Sequence, residues 1–118
     1  MKAGPRSDRL YMAHIVEACE KIERYLSGLT KDDFLEDSRT VDAVVRNFEV
    51  MGEAAKRISA ETRDAHPNVP SSDIARFRDV LIHRYDEVVP RQVWRIAREE
   101  MPSAYESTRR AAESNGDP

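Results

Sequence analysis

Between residues 11 and 29 the apolar side chains Tyr11, Ile15, Ala18, Ile22, Tyr25 and Leu29 recur at steps of 4, 3, 4, 3 and 4. An α-helix brings such positions onto one face, whereas a half-buried strand needs steps of two. A second run repeats the signal: Val41, Val44, Val45, Phe48, Met51, Ala55 and Ile58 form a stripe, with Arg46, Glu49, Glu53, Lys56 and Arg57 on other faces. Apolar–polar alternation is nearly absent, and only 4 glycines occur in 118 residues. Ala, Glu, Arg, Leu and Met, all good helix formers, are plentiful. The pattern predicts an all-α chain.

The punctuation between the stripes sets the element order. Ser7 and Asp8 are placed to cap the first helix, and Gly28 falls near its end. Thr30-Lys31-Asp32-Asp33 reads as a capping box with Asp in place of Glu, opening a short turn through Phe34 and Leu35. Ser38 or Thr40 starts the second long helix. From Ala60 to Pro70 the periodicity is lost, and Pro67 and Pro70 break any helix near them. Ser71, Ser72 or Asp73 caps a third helix, which turns Ile74, Phe77, Val80 and Leu81 inward and stops near Tyr85. Pro90 fits the first turn of a fourth, whose apolar face is Val93, Trp94, Ile96, Ala97 and Met101. Pro102 kinks or ends it, and Ser103 caps a last segment through Ala112. Short connections favour antiparallel neighbours. The expectation is a four- to five-helix up-and-down bundle over residues 8–113, with an N-terminal extension 1–7 and a disordered tail 114–118. The seam of the first helix is longer than one small bundle needs, so part of it is free to face a second subunit.

Composition removes several function classes. A single cysteine, Cys19, excludes an intramolecular disulfide. No N-terminal apolar run resembles a signal peptide, and no run of about 18 apolar residues exists to span a membrane. A cytoplasmic protein without a membrane role is expected. The net charge of −3 argues against indiscriminate binding to nucleic acid. Charge is unevenly spread, however. Between Arg76 and Arg98 lie six arginines (Arg76, Arg78, Arg84, Arg91, Arg95, Arg98) and three acids (Asp79, Asp86, Glu87), a local excess of 3. Of 19 basic residues 15 are arginine, whose planar fork suits phosphate. Neither a metal nor another cofactor is expected: the three histidines are scattered, no His-x3-His or acidic cluster has ligand spacing, and no Gly-rich phosphate loop occurs.

The chemistry concentrates in Arg78-Asp79-Val80-Leu81-Ile82-His83-Arg84-Tyr85, which contains Arg-x4-His-x-Tyr. Metal-free RNA cleavage needs a base to deprotonate a ribose 2′-hydroxyl, which then attacks the adjacent phosphate. A free histidine titrates near 6.5, which suits that base role or the protonation of the leaving oxygen. A guanidinium stabilises charge that builds on the phosphoryl oxygens. Arg78 and His83 are therefore the candidate catalytic pair. Tyr85 is placed to orient the phosphate or stack on a base, and Asp79, Arg84 and Glu53 are candidates for supporting roles. Positions five apart on a helix diverge by about 140°, so Arg78 and His83 do not share a face, whereas Arg78, Ile82 and Tyr85 do. Either the helix is distorted or ends near His83, or two copies of it build one site across a two-fold axis. His14 and His66 lie outside the motif and read as ordinary packing or surface residues.

With Ala43-Val44-Val45-Arg46-Asn47-Phe48-Glu49-Val50-Met51-Gly52-Glu53-Ala54-Ala55-Lys56-Arg57-Ile58-Ser59 upstream and Trp94 downstream, the chain resembles the HepT branch of the HEPN superfamily over roughly Arg9 to Met101. The resemblance implies a HEPN-like bundle active as a homodimer, with both protomers contributing to one cleft. It implies the toxin of a type VII-like toxin–antitoxin module, a metal-independent endoribonuclease acting on RNA. Its implied partner is a minimal nucleotidyltransferase antitoxin that transfers AMP to the motif tyrosine, here Tyr85. Asp79 departs from the pattern, since the residue after the motif arginine is often Asn in this branch. An acid there either orients Arg78 or weakens attraction for RNA. The alternative reading is a non-catalytic HEPN module binding a nucleotide or a protein.

Overall fold

The computed structural model describes residues 5–83 and 90–115. They form α1 (Pro5–Leu26), α2 (Lys31–Leu35), α3 (Ser38–Arg57), α4 (Ala60–Ala65), α5 (Ser71–His83), α6 (Pro90–Arg95) and α7 (Met101–Asn115), with a π-helical turn, Ile96–Glu100, joining the last two. No strand occurs among the described residues, and none of their helices is long and apolar enough to cross a membrane. α3 is the central helix, with α1 on one side and α5 on the other. α7 covers a second side of α1, and α2 bridges α3 to α6.

This arrangement shifts the seam that spacing alone suggests. On α1 the buried line is Met12, Ile15, Ala18, Cys19, Ile22 and Leu26, while Tyr11 is half-buried and Tyr25 exposed. Two neighbours, α3 and α7, widen the covered face toward Met12, Cys19 and Leu26, and the tyrosines keep their hydroxyls at its edge. α3 buries Val44, Phe48, Met51, Ala55 and Ile58 as expected, and also Asn47, Gly52 and Ala54, because it is enclosed from two sides. α5 is an outer helix with a narrow inner face. Leu81 is fully buried there, but Val80, expected inside, is 44% exposed. α7 adds Met101 and Ala111 to the core, in which Met12, Ile15, Ile22, Leu26, Phe34, Val44, Leu81 and Val93 lose nearly all contact with water. Each such side chain contributes about 1.5–3 kcal/mol. Trp94 packs on Phe34 at 5.4 Å, under the Arg98 guanidinium at 5.3 Å.

Local chemistry explains the boundaries. The Thr30 capping box forms as read: the Asp33 amide donates to Thr30 Oγ1 at 3.1 Å, and the Thr30 amide donates to Asp33 Oδ2 at 3.0 Å. Gly28 takes φ +80°, the left-handed conformation that turns the chain after α1. Asp37 rather than Ser38 or Thr40 caps α3, accepting from the Thr40 amide at 3.1 Å. Asp8 does not cap its own helix either. It is 1% exposed and accepts from the Ser59 amide at 3.0 Å, from Ser59 Oγ at 2.6 Å and from Thr62 Oγ1. Those contacts anchor α4, a helix that periodicity misses; Ser59 caps it, and Arg63 returns to the Ala55 carbonyl at 2.7 Å.

Pro102 does not end helical structure, which runs through it from the π-helical turn into α7. The wide turn just before it, in which the Met101 amide donates to the Ile96 carbonyl, relieves the clash a proline makes with the carbonyl four residues back. The helix then continues to Asn115, two residues into the stretch expected to be a disordered tail.

Candidate active site

α5 passes so close to α3 that only glycine fits at the crossing. A Cβ built on Gly52 would lie 2.0 Å from Arg78 Cβ and 2.7 Å from its Cγ. The Arg78 stem therefore lies over the bare backbone of α3, and its head emerges among charged side chains. Arg78 Nη2 is 3.3 Å from Glu53 Oε2, and Nη1 donates to Asp79 Oδ1 at 3.3 Å. Lys56 Nζ also donates to Asp79, and Arg57 grips Glu53 through Nε at 3.3 Å and Nη2 at 3.0 Å. Three cations thus surround two carboxylates, leaving one positive charge in excess.

The electrostatics follow from those pairs. The Lys56 ammonium, and then Arg78, hold the Asp79 carboxyl below its ordinary range. Arg57, and then Arg78, do the same for Glu53. Arg57 is pushed up by its bond to Glu53 first and to the Tyr11 hydroxyl second. Both carboxylates are charged at neutral pH, so they hold the guanidinium, whose five N–H donors outnumber these two contacts.

Arg78 lines a groove of about 500 Å³ between α1, α3 and α5. Glu53, Arg57 and Ile82 share its wall, and so do Arg46 on α3 and Tyr11 and His14 on α1. Sequence reading picked out Arg78 and Glu53 but treated His14 as ordinary and Arg46 and Arg57 as solvated faces. Long-range packing of α1 against α3 brings them together, and no local motif encodes it. A larger groove of about 770 Å³ lies between α5 and the α6–α7 rod, with Ile74, Phe77, Val80, Ile96 and Met101 among its walls, but neither Arg78 nor His83 is among the described residues that line it.

His83 is the last residue of α5 and is exposed. It is not part of the Arg78 groove. α5 is α-helical from Ser71 to His83, so the two side chains diverge as ideal geometry requires. Arg84 and Tyr85 lie outside the described residues. Among those that are described, no three His, Cys, Asp or Glu side chains cluster as metal ligands would.

Comparison with known proteins agrees with the resemblance. The family model described as "Ribonuclease HepT-like" matches residues 15–111. A Thermococcus cleftensis protein named "Probable ribonuclease HepT" is 41% identical over 98 residues, covering 83% of this chain and 89% of that one. A Caldanaerobacter subterraneus protein named as a putative RNase is 37% identical, covering 82% and 87%. A longer Methanocaldococcus jannaschii protein, named as a gamma-glutamylcyclotransferase and putative RNase, is 35% identical, and the match covers 83% of this chain and 44% of that one. No solved structure matches. The Arg78 helix, its glycine-seated crossing with α3 and the extent of these matches lead to one assignment: the chain belongs to the HepT-like ribonuclease family.

Proposed function

We propose that this chain is the toxin of a toxin–antitoxin pair and cleaves RNA without a metal ion. The observation that carries the reading is the Arg78 guanidinium, held by Glu53 and Asp79 in the lining of a groove of nucleotide size. In this mechanism His83 takes the proton of a ribose 2′-hydroxyl. The oxygen attacks the neighbouring phosphorus, the P–O5′ bond breaks, and the 5′-oxygen leaves with a proton. The products are a 2′,3′-cyclic phosphate and a 5′-hydroxyl. Arg78 stabilises the charge on the phosphoryl oxygens, a type of contribution typically worth about 10²–10³ in kcat. Because Arg78 and His83 point apart on one helix, His83 of one protomer completes the Arg78 site of the other, and the homodimer is the active species.

Control acts through Tyr85. A nucleotidyltransferase antitoxin places AMP on its hydroxyl, and the added phosphodiester occupies the anion site beside Arg78, with Arg84 nearby in sequence. Purified wild type and His83→Ala incubated with total RNA in EDTA, followed by end-group analysis, test the chemistry. Cyclic phosphate ends from wild type alone support it; 3′-hydroxyl ends, or activity that disappears in EDTA, overturn it. Tyr85→Phe is expected to keep most cleavage yet escape silencing by a co-expressed nucleotidyltransferase. Equal silencing of the Phe variant would remove AMP transfer from the reading.

A further inference from the structure

The groove beside Arg78 has a second chemistry on its opposite wall. Tyr11 and His14 lie one helical turn apart on α1 with ring centroids 6.3 Å apart and planes at 68°, an edge-to-face pair. Tyr11 is half-buried, and His14 is exposed at the groove. Arg46 stands on the same rim, its side chain 74% exposed and its guanidinium 3.9 Å from Glu49, whose carboxylate also lines the groove; with Glu53 the lining carries two acids against three arginines. Val50, Ala54 and Ile82 give the groove an apolar surface between these groups. Neither aromatic belongs to the Arg-x4-His-x-Tyr motif, and neither is used in the cleavage mechanism.

We infer that Tyr11 and His14 form a base-stacking subsite, in which a nucleobase adjacent to the phosphate held by Arg78 stacks on the His14 ring. The facts fit this ligand class. An aromatic face, an apolar lining and arginines spaced around them are what a single-stranded nucleic acid needs: stacking for the base, and guanidinium groups for the phosphates. A volume of about 500 Å³ admits one nucleotide rather than a duplex. Half-burial of Tyr11 and its edge-to-face contact with His14 restrict the platform before a ligand arrives, which lowers the entropy lost on binding. Stacking tolerates every base, so the subsite sets the register of the strand more than its sequence. The ribonuclease reading enters only in making the strand RNA.

The test uses the wild-type chain and an eight-nucleotide 2′-O-methyl oligouridylate carrying one 2-aminopurine. This probe cannot be cleaved, because its 2′-oxygen is blocked. Binding is expected to quench the 2-aminopurine fluorescence. His14→Ala should abolish the quench and weaken binding roughly 5- to 150-fold, whereas His14→Phe, which keeps a ring, should retain both. His14 is exposed, so these variants leave the core intact. An absent quench in wild type, or equal quench and affinity in His14→Ala, overturns the subsite. Cleavage of ordinary RNA is scored in parallel. A chain that cuts RNA yet ignores His14 loses only the subsite. A chain that quenches through His14 without cutting keeps the subsite and loses the nuclease.

Discussion

Asp79 and Glu53 act on Arg78 in two opposed ways: they orient its guanidinium, and they cancel charge that RNA would otherwise feel. Lys56 and Arg57 restore the balance, since each takes one of the two acids and leaves the cluster net positive. The role proposed for Arg78 thus rests on a fork that touches two carboxylates at once. Lysine has the charge but not the fork. Arg78→Lys keeps most of the apolar stem over Gly52, so thermal stability should be almost unchanged while kcat falls about 100-fold; kcat within threefold of wild type would show that charge alone suffices. Asp8 carries a different kind of prediction. Burial pushes its carboxyl up, but the bonds from Ser59 and Thr62 outweigh that and hold it below its ordinary 3.8. A carboxyl lowered by folding contributes stability above its unfolded pKa and loses it as pH falls through the folded value. Denaturant titrations should therefore show stability falling below about pH 4, with a shallower fall in Asp8→Ala. At neutral pH, Asp8→Ala strands buried donors and should cost about 3 kcal/mol. A neutral-pH loss under about 1 kcal/mol would show that water replaces the carboxylate.

The α3–α5 crossing ties fold to function through one missing methyl group. Alanine in a helix is usually worth about 1 kcal/mol over glycine. At position 52 its Cβ would meet Arg78 Cβ at 2.0 Å, and neither atom sits on a flexible end. Gly52→Ala is therefore expected to destabilise by about 1–3 kcal/mol, and to reduce cleavage even well below the melting temperature, because α5 must shift and carry Arg78 with it. A variant as stable and active as wild type would disprove the close crossing. Gly52 lies in plain view in the sequence, but its reason does not, since spacing says nothing about which helix passes over it. The same limit explains the other differences. The helices of α1, α3 and α5 and the Thr30 cap were legible because side chains within a few residues encode them. α4 was not, because its anchor, Asp8, lies 51 residues before Ser59. Arg78 was legible as a candidate through the Arg-x4-His-x-Tyr motif and Glu53 as a charge within an apolar-rich helix, whereas Tyr11, His14 and Arg57 join them only after α1 docks on α3.

In the folded chain the proposed catalytic pair is divided: Arg78 faces the groove, and His83 ends the same helix outside it. α5 exposes apolar side chains on two sides, Val80 (44%) at the larger groove and Ile82 (40%) at the Arg78 groove, and Leu10 on α1 is 55% exposed. Covering these side chains by a second copy would stabilise the chain by about 25 cal/mol per Å² of apolar area removed from water. Val80→Glu should accordingly shift the chain from dimer to monomer in light scattering, with the helical signal retained and cleavage lost together. The sharper test mixes two inactive variants. Co-expressed Arg78→Ala and His83→Ala chains pair at random, so about half the dimers are mixed, and in each of these one of two shared sites receives both an intact Arg78 and an intact His83. The mixture should recover about a quarter of wild-type cleavage, and Val80→Glu in both chains should abolish the recovery. If each protomer built its site alone, no mixed dimer would contain a complete one and the mixture would stay inactive. Silence from a mixture shown by mass spectrometry to contain mixed dimers would therefore exclude the shared cleft, even if the protein proved dimeric.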